Sequence, residues 1–161
     1  MENKTLDTDR GIIAIASDHA ALRLKSHIAS HLENIGFEVV DLGTNSPESC
    51  DYPVYAKKLC DFILDPENDC ALGILCCGTG IGMSIAANKV HGIRAACCSD
   101  SYSAKFTRLH NNANVLCLGE RVIGFGLADE IVDLFVNTEF EGGKHARRLS
   151  IVEKIESGES L

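Results

Sequence analysis

The sequence predicts a doubly wound, Rossmann-like α/β domain: a five-stranded parallel sheet with helices on both faces and an extra C-terminal helix. Three observations point there. Short apolar runs alternate with amphipathic stretches from end to end, the pattern of repeated strand–helix–strand units. The apolar runs are continuous rather than alternating, as expected when both faces of a parallel sheet are covered. The 161 residues suit one domain, 1-161, large enough to bury a core without a disulfide or metal staple.

Each element has its own local reason. Residues 11–16 read as a short buried strand. Asp18 can cap the helix that follows, whose apolar stripe is Ala21, Leu24, Ile28, Leu32 and Ile35. Gly36 ends it, and residues 37–42 form a second strand. The polar loop 43–51 contains Pro47, and Pro53 opens a helix that runs to Leu64 before Asp65-Pro66 breaks it. Residues 71–77 form the third strand, and Gly78-Thr79-Gly80 turns the chain into a helix that ends near Lys89. Residues 93–98 form the fourth strand, 101–109 a helix and 113–118 the fifth strand. Residues 126–136 are helical, with Leu127, Ile131 and Leu134 on one face. The last helix, 143–156, has an apolar edge of Leu149, Val152 and Ile155 that packs on the domain or reaches a second subunit. The expected strand order is 2-1-3-4-5, with ligands beyond the carboxyl ends of the strands.

Composition narrows the function. Fifteen Lys and Arg against 23 Asp and Glu give a net charge of −8, a field that repels polyanions and argues against nucleic acid as partner. No apolar run reaches the ~20 residues of a membrane helix. The opening residues 1–10 are polar, without the apolar stretch of a secretory signal, so a cytoplasmic chain is expected. In that setting the acceptor-like Asn3-Lys4-Thr5 carries no meaning, and the eight cysteines are expected as free thiols. Cys76-Cys77 and Cys97-Cys98 are adjacent pairs, not the C-x-x-C pairs of zinc sites. No metal is expected.

The run Cys77-Gly78-Thr79-Gly80-Ile81-Gly82 stands where a strand ends and a helix begins. Glycines there let backbone N–H groups point into one cavity, which favours an anion, either a phosphate or an enolate formed during reaction. The same field favours thiolate at Cys77, which suits proton abstraction beside a carbonyl. The alternative is a tight turn with a buried cysteine. The dinucleotide fingerprint does not fit, because the third glycine comes one residue early, and the Lys of a Walker loop is missing. Asp18-His19 follows the first strand in the same layer and reads either as a substrate contact or as a helix cap with an exposed histidine. His110-Asn111 precedes the fifth strand, at the wrong end of the sheet for its own site but able to serve a neighbour's. Lys144, His145, Arg147 and Arg148 are the densest basic cluster, and Lys144 and Arg148 share a helical face that can grip one phosphate. His27 and His31, also four apart, read as solvated surface.

Taken together, Ser17-Asp18-His19, Asp51-Tyr52-Pro53, the Cys77–Gly82 run with Ala86-Ala87-Asn88-Lys89, Gly92-Ile93-Arg94-Ala95, His110-Asn111 and Glu141-Gly142-Gly143 with Arg148 resemble the type B ribose-5-phosphate isomerases, a branch of the sugar-phosphate isomerases. The resemblance spans residues 11–155. It implies a homodimer or homotetramer with shared active sites, a sugar-phosphate substrate and no cofactor. It also implies roles. Cys77 would be the base that moves a proton between C2 and C1. Backbone amides around Gly78, Gly80 and Gly82 would hold the cis-enediolate, and Thr79 would help move a proton between O1 and O2. His110 of the partner subunit would open the furanose ring, with Asp18 nearby. Tyr52 and Asn111 would touch sugar hydroxyls. His19, Arg148 and Arg121 of the partner subunit would bind phosphate. Lys144 stands where many relatives have arginine, which keeps the charge and loses the bidentate fork.

The expected reaction is interconversion of ribose 5-phosphate and ribulose 5-phosphate. A six-carbon sugar phosphate (galactose 6-phosphate or allose 6-phosphate) is the alternative within the family. Outside it stand a nucleotide-binding regulatory domain and a thiol redox protein. The last is disfavoured because adjacent residues in a strand point to opposite faces.

Overall fold

A computed structural model of the chain describes residues 10–161. The polar opening segment and Asn3-Lys4-Thr5 lie outside the described residues. Five strands, β1 (Ile12–Ser17), β2 (Glu38–Asp41), β3 (Leu72–Cys77), β4 (Ala95–Cys97) and β5 (Val115–Gly119), form one sheet, all neighbours parallel. Six helices accompany them: α1 (Leu22–Asn34), α2 (Tyr52–Leu64), α3 (Ile81–Ala87), α4 (Ser101–Asn111), α5 (Phe125–Asn137) and α6 (Lys144–Ser157).

The strand order is β2-β1-β3-β5-β4, which corrects the expected 2-1-3-4-5. After β3 the chain skips one place, and α4 brings it back to fill the gap. Burial accounts for the choice. Val115–Gly119 is buried at every residue and takes the interior position, whereas Ala95–Cys97 is only half covered and takes the edge. A single crossover hand then assigns the faces. Moves toward the β2 edge place α1 and α4 on one side, where α5 after the last strand joins them, packed with Ile13, Ile15, Ile74 and Leu116. Moves toward the β4 edge place α2 and α3 on the other, packed with Ala14, Ala16, Leu75 and Val115. Cys76 belongs to the first layer and Cys77 to the second, so the two sulfurs face opposite sides of the sheet.

Three local differences matter for the site. Asp18 caps a short 3-10 turn, His19–Ala21, rather than α1 directly, its Oδ1 accepting the Ala20 N–H at 2.9 Å. Glu120 instead reaches α1, its Oε2 accepting the Leu24 N–H at 3.0 Å. His27 and His31 are not free surface: they contact Asp129 and Asp133 of α5 at 2.7 Å each and tie α1 to α5. The face that α5 buries is Ala128, Ile131, Val132 and Phe135, with Leu127 and Leu134 at its margins.

The β2–α2 loop is held by a buried ammonium. Lys25 is 1% exposed, and its Nζ donates to both Asp41 oxygens at 2.7 Å, to Thr44 O at 2.8 Å and to Asn45 Oδ1 at 2.6 Å. All of its donors are satisfied, which is the condition for burying a charge. No helix among the described residues is long and apolar enough to cross a membrane.

Lys25→Ala removes the shared donor and should cost about 3 kcal/mol of folding stability. Denaturant unfolding checks it, and a loss below about 1 kcal/mol would show that the loop holds without the clamp.

Candidate active site

The first group of candidate residues gathers at the carboxyl ends of β1, β3 and β5. Cys77 ends β3 with 5% of its surface exposed. The chain then turns so tightly that the Gly80 N–H donates to Cys77 Sγ at 3.0 Å. Gly80 has φ +80°, a left-handed conformation that glycine adopts without strain. A Cβ there would lie 2.9 Å from Cys97 Sγ and 3.0 Å from the Leu118 carbonyl carbon. Gly119, at the end of β5, is equally constrained: a Cβ would stand 2.6 Å from the Thr79 carbonyl carbon. The turn therefore lies directly on the end of β5. Thr79 is exposed at its tip, and its Oγ1 accepts the Ile81 N–H at 3.3 Å. Gly82 leaves room for the Tyr52 ring, whose Cζ would be 3.0 Å from an added Cβ.

Three more candidate residues stand at this end of the sheet, and Arg121 touches the turn itself. Arg121 belongs to the same chain. Its N–H donates to Gly78 O at 3.1 Å, and its guanidinium passes 3.4 Å from where a Gly78 Cβ would be. Glu120 and Arg121 follow β5 straight across the end of β3, which places this Arg121 over the turn of its own chain. Asp18 is buried, its N–H donating to Cys76 O at 3.2 Å. His19 accepts the Cys50 N–H on Nδ1 at 3.2 Å. That bond assigns the ring proton of neutral His19 to Nε2, which becomes a donor for an anion.

Burial holds several of the remaining thiols protonated. Burial pushes the Cys60 and Cys98 thiols up to about 11 each. Burial also drives Cys76 and Cys117 far above the ordinary thiol range. Cys97 is exposed, its thiol raised by burial and then by Cys77, and its Sγ donates to Thr79 O at 3.6 Å.

A second group lies elsewhere. Helix α4 runs past Leu109, so His110 and Asn111 occupy its last turn, at the end of the sheet away from Cys77. The Glu141 N–H donates to Leu109 O at 3.1 Å, which brings the start of α6, with exposed Lys144 and Arg148, beside His110. Glu141 Oε2 is 3.6 Å from Nε2 of both His110 and His145. The two imidazoles stack with centroids 4.0 Å apart and planes 6° from parallel. His110, Glu141 and His145 are the three-ligand cluster among the described residues with metal-like spacing. Parallel rings keep their in-plane nitrogen lone pairs from converging on one ion, so as arranged they do not fit a metal. Sequence reasoning passed over Glu141 and His145 as site residues; their i, i+4 spacing was the available signal.

A family model described as Ribose/Galactose Isomerase matches residues 13–152. The chain belongs to that family. This family member is 48% identical to ribose-5-phosphate isomerase B of Escherichia coli over 144 residues, 89% of this chain and 95% of that one. It is 49% identical to D-erythrulose-4-phosphate isomerase of Pectobacterium atrosepticum, over 89% of this chain and 91% of that one. It superimposes on ribose-5-phosphate isomerase B of Mycoplasma genitalium, solved with bound ribulose-5-phosphate, with a TM-score of 0.86 at 43% identity, covering 91% of this chain and 97% of that one.

The close approach at Gly119 yields a prediction for this family member. Gly119→Ala should destabilise the fold by about 2 kcal/mol and depress turnover by lifting Thr79 off β5. Thermal unfolding and a turnover assay check it together, and wild-type behaviour in both would mean that the turn relaxes freely.

Proposed function

We propose that this isomerase interconverts ribose 5-phosphate and ribulose 5-phosphate through a cis-enediolate, with Cys77 as the base. The observation that carries the chemistry is the Gly80 N–H donating to Cys77 Sγ at the glycine turn between β3 and α3. The named activities of the relatives and the ribulose-5-phosphate bound in one of them support the substrate. An ordinary thiol with a pKa of about 8.5 is a few per cent ionised at pH 7, so a donor held against the sulfur has direct value. In this reading Cys77 takes the C2 proton of the opened aldose and returns it to C1. Amides at Gly78, Gly80 and Gly82 hold the enediolate, and Thr79 helps transfer the proton between O1 and O2. Tyr52 and Asn111 contact hydroxyls. His19, Arg121, Lys144 and Arg148 bind phosphate. His110 opens the ring, assisted by Asp18.

A second copy of the chain completes the site in this proposal. His110, Asn111, Lys144 and Arg148 stand away from Cys77 in one chain, so they serve a neighbour, which supports a homodimer or a homotetramer built from it. The family match over residues 13–152 supports reading 1-161 as one isomerase domain. Free thiols at all eight cysteines fit a reducing, cytoplasmic setting. The galactose in the family description favours one second reading, a six-carbon sugar phosphate. Comparing turnover of ribose 5-phosphate with galactose 6-phosphate and allose 6-phosphate separates the two, and preference for a six-carbon substrate would overturn the first.

Cys77→Ala should lower turnover of ribose 5-phosphate about a thousandfold or more while leaving the binding of a phosphate-bearing inhibitor intact. Near-normal turnover would remove Cys77 as the base. Mixing inactive Cys77→Ala chains with His110→Ala chains should restore up to roughly a quarter of wild-type activity, because half the dimers then hold one intact site. No recovery after subunit exchange would place both residues in a single chain's site.

A further inference from the structure

We infer that His145 is a positioning residue for His110: its ring, packed flat on His110, holds that imidazole in the pose that ring opening requires. The inference rests on the proposed role of His110. The His110 side chain is 37% exposed at the end of a helix, a place where an imidazole ordinarily samples several rotamers. Two other rings restrict it. Phe106, one turn back on α4, meets it edge-on with centroids 4.8 Å apart and planes 70° apart. His145, from the first turn of α6, covers a face at 4.0 Å and 6°.

His145 has no other evident task. It is 6% exposed, and its Nε2 has no hydrogen-bond partner. An unpaired buried nitrogen is unfavourable, so the flat surface of the ring explains its place better than any bond it makes. Burial, then the neighbouring His110 and Lys144, press the His145 ring toward its neutral form, against the pull of Glu141. A neutral aromatic face beneath His110 accepts the imidazolium that forms transiently when His110 takes the O1 proton of the furanose and returns it to the ring oxygen as the C1–O bond breaks, and a second cation there would repel it. Glu141, 3.6 Å from both Nε2 atoms, adds a negative charge on the same side. Because His110 and His145 share one chain, the pair moves as a unit into whichever site it serves.

The test pairs a substrate that must be opened with one that cannot close. Erythrose 4-phosphate has no furanose form, because the oxygen that would close the ring carries the phosphate. His145→Ala should lower kcat/KM for ribose 5-phosphate about tenfold or more and leave erythrose 4-phosphate within about twofold. His145→Phe, which keeps a flat ring and lacks Nε2, should restore most of the loss. His145→Gln, which keeps polarity and lacks the ring, should behave as alanine does. Equal losses on both substrates, or a phenylalanine variant no better than glutamine, would overturn the inference, and the phenylalanine–glutamine comparison stands even if the alanine variant fails to fold. His110→Ala is the control. If it slows both substrates alike, the ring-opening reading falls and takes the inference with it. If it is selective and the His145 variants are not, the inference alone falls.

Discussion

The site depends on how closely one turn approaches the end of a neighbouring strand. Gly80 N–H can reach Cys77 Sγ only because the chain reverses over Gly119, where any side chain would occupy the space of the Thr79 carbonyl carbon. Three glycines do separate work here. Gly80 supplies the left-handed backbone, Gly119 the clearance beneath it, and Gly82 the room for the Tyr52 ring. The sheet order serves the same end. With β5 beside β3, the residues after each strand converge, and Arg121 arrives over Gly78 without travelling. Had β4 been interior, Glu120 and Arg121 would have stood one strand farther from Cys77.

A scaffold of this kind separates what must be rigid from what must be supplied. Buried strands, the Lys25 clamp and the His–Asp contacts between α1 and α5 hold the carboxyl end of the sheet. The basic groups suited to phosphate are partly on α6, where Lys144 and Arg148 are exposed and the helix begins beside His110. In an acidic chain of net charge −8, Arg121 stands at the carboxyl end of the sheet and Lys144 with Arg148 at the start of α6. Bringing them together around one phosphate requires a second chain in the proposed assembly.

Most of the architecture was legible because strand and helix signals were strong and punctuated. Every expected strand and helix exists, with shifts of a few residues at the ends. Strand order was not legible, because the competition between Ala95–Cys97 and Val115–Gly119 for the interior is decided by total burial, and both read as apolar runs. His27 and His31 looked solvated because their partners, Asp129 and Asp133, lie about a hundred residues away. The Cys77 turn was legible from its glycines, but the need for Gly119 was not, since that constraint comes from the backbone of another segment. The contact of Arg121 with Gly78 of its own chain was not legible for the same reason: that adjacency is a property of the sheet, not of spacing.

Cys97 gives this arrangement a chemical vulnerability. It is exposed, while Cys77 lies beneath the turn, and its sulfur touches the Thr79 carbonyl from outside. A bulky alkylating reagent meets Cys97 first, and an adduct there wedges against the loop that carries the hydrogen bond to Cys77. Inactivation by such a reagent therefore reports a jammed hinge as readily as a consumed nucleophile. Labelling must be mapped to the modified sulfur before it speaks for the base.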